Sequence, residues 1–263
     1  MSISINELVA VVRNNTLSSF NVSNTERNSL FITNEDFSRT DPSLKRLVVV
    51  GCCGSGKSTL LNKLSGFKLE WNEEHSMFMW DSTPIFESKS HVNSVTKHTT
   101  YAIIDSFHYK NGLLVVDTPG HDHRDLPNVD SKEVRDKLAE DATDLYDKLK
   151  RMGHLNTILV LHNDVHSNRL NPATFTLLQK IDEMFADTDK NIWDHVVIAY
   201  SKCDGDTNGW KSNLDEKCLE LQREIKSKFP KCPKSIPIYT LSGVELGNES
   251  VNYKDLSEFI NSQ

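Results

Sequence analysis

The stretch Gly51-Cys52-Cys53-Gly54-Ser55-Gly56-Lys57-Ser58 spaces its glycines, lysine and hydroxyl as G-x-x-x-x-G-K-[ST]. Each residue type has a chemical task in that pattern. Gly51, Gly54 and Gly56 are expected to let the backbone turn left-handed and approach a ligand closely. The N–H groups from Gly54 through Ser55 and Gly56 to Thr59 would then converge on a phosphate. The helix that starts there adds the positive end of its dipole. Lys57 would bridge the β- and γ-phosphates of a nucleoside triphosphate, and the Ser58 hydroxyl would ligate Mg2+. Cys53 is placed beside the γ-phosphate, where its side chain crowds the space an inserted arginine needs. Cys52 and Cys53 read as small residues that fit the loop. Thiols in such a positive field are also targets for oxidants.

A second cluster closes the run Leu113-Leu114-Val115-Val116-Asp117-Thr118-Pro119-Gly120, an apolar strand ending in D-x-x-G. Asp117 is expected to hold Mg2+ through water, and Gly120 to turn its N–H toward the γ-phosphate. His121 follows at the position from which a side chain can orient an attacking water; the alternative is a solvent-exposed histidine. A threonine should complete the metal shell, and Thr96, Thr99 and Thr100 are all candidates.

The third cluster is Ser201-Lys202-Cys203-Asp204, after the apolar run Val196-Val197-Ile198-Ala199-Tyr200. It follows the guanine-reading pattern [NT]-K-x-D with serine in first place. The Asp204 carboxylate would accept from the guanine N1–H and exocyclic amine, while the Lys202 stem covers the ring. Adenine lacks both donors and would leave the carboxylate unpaired. Ser201 reaches less far than the usual Asn or Thr. Ser242 and Gly243 are placed to present a backbone N–H to guanine O6.

These clusters need strands and helices to hold them. Leu47-Val48-Val49-Val50 is a β-branched run of the kind buried in a parallel sheet. A helix follows through Leu64. Residues 67–98 read as irregular and polar, with Trp71, Phe78 and Trp80 either packed over the sheet edge or forming a docking surface. Strands are expected at Thr99–Phe107 and Leu113–Val116, joined by the turn Lys110-Asn111-Gly112, then a charged helix over 130–151. Beyond it the pattern predicts strands at Asn156–Leu161, His195–Tyr200 and Ile236–Leu241. Helices are predicted at Pro172–Phe185, Ser212–Phe229 and Tyr253–Ile260. Alternating strands and helices imply an α/β, three-layer architecture around a mostly parallel sheet. Residues 1–44, rich in Asn, Ser and Thr, read as an N-terminal extension, part helical or mobile, and residues 45–263 as one domain.

Composition bounds the function. The chain has 263 residues, 37% hydrophobic and 25% charged, with a net charge of −7. That acidity argues against nucleic acid as the main partner. No apolar run reaches transmembrane length, and the N-terminus lacks a signal-peptide pattern. Five cysteines without metal-ligand spacing fit a reduced compartment, so the expected location is the cytoplasm, either free or peripheral to membranes.

The run from Val48 through Gly51, Lys57, Ser58 and Asn62 to Leu64 resembles the opening of the immunity-associated nucleotide-binding GTPases. These are the avirulence-induced, or IMAP, family, relatives of septins and chloroplast-import GTPases. Phe86-Glu87-Ser88-Lys89-Ser90 and Ser94-Val95-Thr96-Lys97 resemble that family's first switch, which selects Thr96 as the magnesium threonine. Residues 156–161 and 193–198 resemble the region before base recognition, and the likeness runs from residue 45 to about 261. The resemblance implies a P-loop GTPase of the Ras-like type, a G domain with a six-stranded sheet that binds GTP and GDP with Mg2+. It also implies slow hydrolysis and a homodimer formed across the nucleotide face. With the reading of the residues themselves, the catalytic set would be Lys57, Thr96 and His121, and the metal set Ser58, Thr96 and Asp117, His121 resting on its position after Gly120 and not on the resemblance. The chain departs from the family in carrying His121, in its fuller Ser201–Asp204 motif, and in a longer first switch. The reading therefore has two forms: a switch that turns GTP over, or a GTP-bound oligomerising scaffold with little hydrolysis.

Overall fold

The computed structural model describes residues 30–32, 44–86, 99–104, 112–120, 132–152, 154–163, 169–186, 191–203, 213–233, 235–241 and 253–263. Nine strands and five helices are defined among them. The strands are β1 (Leu30–Ile32), β2 (Lys45–Gly51), β3 (Leu69–Asn72), β4 (Met77–Trp80), β5 (Thr100–Ile104), β6 (Leu113–Asp117), β7 (Thr157–His162), β8 (Val196–Tyr200) and β9 (Ile238–Thr240). The helices are α1 (Lys57–Leu64), α2 (Lys132–Arg151), α3 (Pro172–Met184), α4 (Leu214–Lys228) and α5 (Tyr253–Ser262).

The main sheet runs β1-β5-β6-β2-β7-β8-β9. Six of its strands, β5 to β9 with β2, come from the region read as one domain. They are parallel except for β5, which pairs antiparallel with β6. The seventh, β1, comes from the N-terminal extension and adds an antiparallel edge against β5. That a strand arises there was not foreseen from the sequence. Gly112 takes φ 81° at the entry to β6, while Lys110 and Asn111 of the predicted turn lie outside the described residues.

The core follows from the strand period of two. On one face Val48, Val50, Val116, Val160 and Ile198 meet Leu145 and Leu149 of α2, Leu178 and Ile181 of α3, and Leu221 and Ile225 of α4. On the other face Leu47, Val49, Val115, Leu159 and Val197 meet Leu60, Leu61 and Leu64 of α1, and Leu256 and Ile260 of α5. Both faces of β2, β6, β7 and β8 are therefore buried, and this explains their unbroken apolar runs.

The reading of residues 67–98 as irregular is corrected in part. Residues 69–80 form an antiparallel hairpin, β3 on β4, with Trp71 opposite Phe78 and Leu69 opposite Trp80. Trp80 packs against the second core face. Trp71 instead remains 55% exposed, beside Phe78 at 5.1 Å between ring centroids. The hairpin returns to the core at Phe86, whose N–H donates to Asn62 Oδ1 at 2.9 Å and whose carbonyl accepts from Asn62 Nδ2 at 2.8 Å.

Candidate nucleotide-binding site

The C-terminal ends of parallel strands open onto the loops that follow them, and all three sequence clusters fall there. The loop after β2 is shaped by two left-handed glycines, Gly54 at φ 71° and Gly56 at φ 91°. Gly51 corrects the expectation made for it. Its dihedrals are ordinary, and glycine is required by space. A Cβ there would lie 2.6 Å from the Leu161 carbonyl oxygen and 2.7 Å from Ser55 Oγ.

Helix α1 opens on Gly56 with no side-chain cap and no acidic residue in its first turn. Helix α3, by contrast, opens on Asn171, whose Oδ1 accepts from Ala173 N at 2.9 Å. The first turn of α1 thus lacks an internal side-chain acceptor, the condition under which a helix N-terminus receives an anion. Ser55 Oγ is buried with no hydrogen-bond partner among the described residues, another polar atom inside this loop.

Lys57 is folded over the loop. Its Nζ donates to the carbonyls of Gly51 and Cys52, each at 3.0 Å, and only 6% of the residue is exposed. That holds a cation over the concave side of the backbone turn. Ser58 Oγ donates to Asp117 Oδ2 at 2.7 Å. The donation uses the hydroxyl's single hydrogen and leaves its lone pairs available, as a cation ligand requires. A hydroxyl and a carboxylate are hard oxygen donors of the class that suits Mg2+. Thr59 sits half-buried on the next position of α1.

Gly120 lies directly on the phosphate loop. A Cβ at this glycine would come within 2.5 Å of Cys53 Cα and 2.6 Å of Cys53 N. The D-x-x-G segment is pinned from behind by Thr118, whose hydroxyl donates to the Val49 carbonyl at 2.7 Å. Thr174, on α3, was not predicted as a site residue. Its Oγ1 lies 3.3 Å from Cys52 Sγ, and both side chains are buried. No local signal could have found it, since the partners are 122 residues apart.

At the end of β8, Ser201 is 7% exposed and commits its backbone N–H to the His162 carbonyl at 2.8 Å. Its hydroxyl donates to the same carbonyl at 3.3 Å. Lys202 is exposed and holds φ 60°, an unusual conformation for a lysine. Cys203 N donates to the Leu241 carbonyl at 3.1 Å and Leu241 N to the Tyr200 carbonyl at 2.7 Å. These bonds bring the residue before Ser242 beside the Ser201–Cys203 turn. Thr96, His121, Asp204, Ser242 and Gly243 lie outside the described residues.

A phosphate loop after the central strand of a mostly parallel sheet, with a D-x-x-G strand beside it, defines the G domain of P-loop GTPases. Residues 45–229 match the AIG1 family, and the chain belongs to that family. No curated protein sequence matches the chain.

Among solved structures, the chain is similar to the chloroplast translocon components atToc33 and psToc159. The identity is 13%, with 83% of this chain and 82% of that chain covered and a TM-score of 0.51. It is also similar to Toc33 from Arabidopsis thaliana with GDP and Mg2+, at 12% identity, 83% and 81% coverage, and a TM-score of 0.43. A bacterial selenocysteine-specific elongation factor shares 16% identity at a TM-score of 0.47. It covers 83% of this chain, which spans only 28% of that factor's length. Family and fold together make this a GTP-binding protein and, in general terms, a GTPase. Among the described residues no helix is long and apolar enough to cross a membrane.

Proposed function

We propose that the chain binds GTP and GDP with Mg2+, hydrolyses GTP slowly, and acts in the cytoplasm as a nucleotide-dependent switch by dimerising across its nucleotide face. The observation that carries the reading is the Ser58–Asp117 bond at 2.7 Å beside a lysine folded over the phosphate loop. That arrangement supports Ser58 as a direct ligand of Mg2+ and Asp117 as its partner through water. The ion, when bound, would neutralise charge on the β- and γ-phosphates. The chain's own groups do the rest. Backbone N–H groups of residues 54–59 hold the phosphates, Lys57 steadies the transferred group, and Gly120 senses it.

In this reading Thr96 completes the metal shell, His121 orients the attacking water, and Asp204 with Lys202 reads guanine. Ser201, Ser242 and Gly243 border the base. The extension over 1–44 precedes a G domain over 45–263. Support for dimerisation comes from the translocon relatives, for which dimerisation is important for GTPase activity.

Three measurements test the proposal. Asp204→Asn should shift preference from GTP to xanthosine triphosphate, and unchanged GTP binding refutes the base assignment. Turnover per molecule should rise with protein concentration; a flat, near-zero rate with tight GTP binding favours the scaffold form. His121→Ala should lower single-turnover hydrolysis, and an unchanged rate removes the histidine from the mechanism.

A further inference from the structure

Among the described residues four large apolar side chains are exposed, and three of them, Trp71, Met77 and Met79, lie on the β3–β4 hairpin. Such a concentration of apolar surface on one short segment is the mark of an interaction site.

The two faces of the hairpin differ. Leu69 with Trp80, and Trp71 with Phe78, share one face, and Trp80 packs that face onto the core. The other face carries Met79 opposite Glu70 and Met77 opposite Asn72. On it Met77 is 54% exposed and Met79 40%. No third strand joins the pair among the described residues. A ribbon of two four-residue strands is marginal by itself, so a partner on the open face would also steady it.

Charge selects the partner. Glu73 and Glu74 stand in the turn, which Asn72 Oδ1 holds by accepting from His75 N at 2.9 Å. With Glu70 they give three exposed carboxylates, none of them ion-paired among the described residues. The hairpin's one lysine, Lys68, sits at the root, where its backbone N donates to Asp81 Oδ1 at 3.2 Å and the Asp81 carboxylate offsets its charge. Over residues 68–81 one lysine faces four carboxylates, a balance of −3. A second copy laid face to face would set these carboxylates against their equals, in a chain whose net charge is −7. An anionic lipid surface would be repelled in the same way.

We propose that the open face of the hairpin docks a basic amphipathic polypeptide segment. The segment's apolar stripe lies on Met77 and Met79, and its Lys or Arg side chains reach Glu70, Glu73 and Glu74. The spacing suits a helix. Residues two apart on a strand are about 7 Å apart, and one turn of a helix repeats its stripe about every 5–6 Å. Two successive apolar side chains can therefore meet both methionines, whose unbranched side chains adapt to their shape. Burial supplies affinity, and the carboxylates select the charge.

The test uses the full chain and a fluorescein-labelled synthetic peptide with leucines at helical spacing and lysines elsewhere. Two matched peptides carry Glu for every Lys, or Ser for every Leu. Fluorescence anisotropy should show saturable binding of the Leu–Lys peptide, with both matched peptides about tenfold weaker or more. Glu73→Lys with Glu74→Lys should weaken binding about tenfold, because reversing two exposed charges turns attraction into repulsion. Met77→Ser with Met79→Ser should weaken it at least as much by removing the apolar contact. Asp136→Lys with Asp147→Lys makes the same charge change at exposed positions of α2 and should leave binding unchanged. If serine at Met77 and Met79 unfolds the hairpin, the glutamate pair and the α2 pair decide. Equal weakening by the α2 pair would reduce the effect to net charge and overturn the proposal, as would equal binding of the Glu-substituted peptide. No peptide binding, with self-association or cosedimentation on phosphatidylserine vesicles that Met77→Ser with Met79→Ser removes, would give the face to a second copy or to a lipid surface and overturn it too.

Discussion

Gly120→Ala tests the contact between the second phosphate element and the phosphate loop. The added Cβ would lie 2.5 Å from Cys53 Cα, 2.6 Å from Cys53 N and 2.8 Å from Cys53 Cβ. Carbon contacts are comfortable at about 3.5–4.0 Å, so one side must retreat by about 1 Å. Two of the three contacts are to backbone, so no rotamer change relieves them. The loop is the firmer side, because Lys57 Nζ ties the Gly51 and Cys52 carbonyls together. The D-x-x-G segment therefore yields. Overpacking of this kind costs about 1–3 kcal/mol, and about 1.4 kcal/mol is tenfold in affinity. A group that meets only the γ-phosphate charges that loss to GTP and spares GDP. With fluorescent GDP and a slowly hydrolysed GTP analogue, the GTP-to-GDP affinity ratio should fall about tenfold or more. Cys53→Gly in the same chain removes only the Cβ contact, so its rescue should be incomplete. An unchanged ratio, or full rescue by Cys53→Gly, would refute the reasoning.

Gly51→Ala and Gly54→Ala should fail for different reasons. The first drives a Cβ to 2.6 Å from the Leu161 carbonyl and should lower stability by about 1–3 kcal/mol in urea unfolding. The second meets nothing within 4 Å and should lose about 1–2 kcal/mol, through its φ of 71° alone. Equal tolerance of alanine at both positions contradicts this. Ser58→Ala should abolish the slowing of nucleotide release by Mg2+, so that chelation no longer accelerates release; a normal chelator response counts against Ser58. Burial pushes the Cys232 thiol up to about 11, from an ordinary 9.0. Its folded value is the raised one, so the associated stability is present below pH 9.0 and is lost as pH climbs toward 11. Thiol titration at pH 8 should modify Cys232 only after unfolding, and rapid native labelling would contradict its burial.

What could be read from the sequence depended on how each signal is stored. Strands β2, β6, β7 and β8 are buried on both faces, so their apolar runs stand out without any partner in view. The phosphate loop announces itself because its glycines, lysine and serine are adjacent in the chain. The β3–β4 hairpin did not. Its strands are four residues each, and Met77-Phe78-Met79-Trp80 is apolar at every position although Met77 and Met79 stay exposed, so too little alternation marks the pair. Strand β1 spans Leu30–Ile32 and depends on pairing with β5, a contact about 70 residues away that no local pattern encodes. The role of Gly51 was legible as a glycine but not as a spatial requirement, because the clash comes from Leu161 on β7. Thr174 was invisible for the same reason: its partner, Cys52, is distant in sequence and adjacent only in the fold.

The uncapped start of α1 carries a consequence for the whole domain. Glycine in place of a capping side chain leaves a helix less stable by about a few tenths of a kcal/mol, and here no first-turn carboxylate offsets it. Helix α1 supplies Leu60, Leu61 and Leu64 to one core face, so a weak N-terminus there weakens the layer it supports. An anion at the loop satisfies the same N–H groups, which makes the nucleotide part of the fold's stability as well as its ligand. GDP at a hundred times its Kd should add about 2.7 kcal/mol. For a domain of this size that corresponds to a rise in Tm of roughly 5–11 °C. ADP, which shares the phosphates but lacks the groups Asp204 would read, should give a much smaller rise at equal concentration. Equal shifts with both would show that the loop binds phosphate without base selection. No shift with either would mean that these N–H groups are not where the phosphate goes.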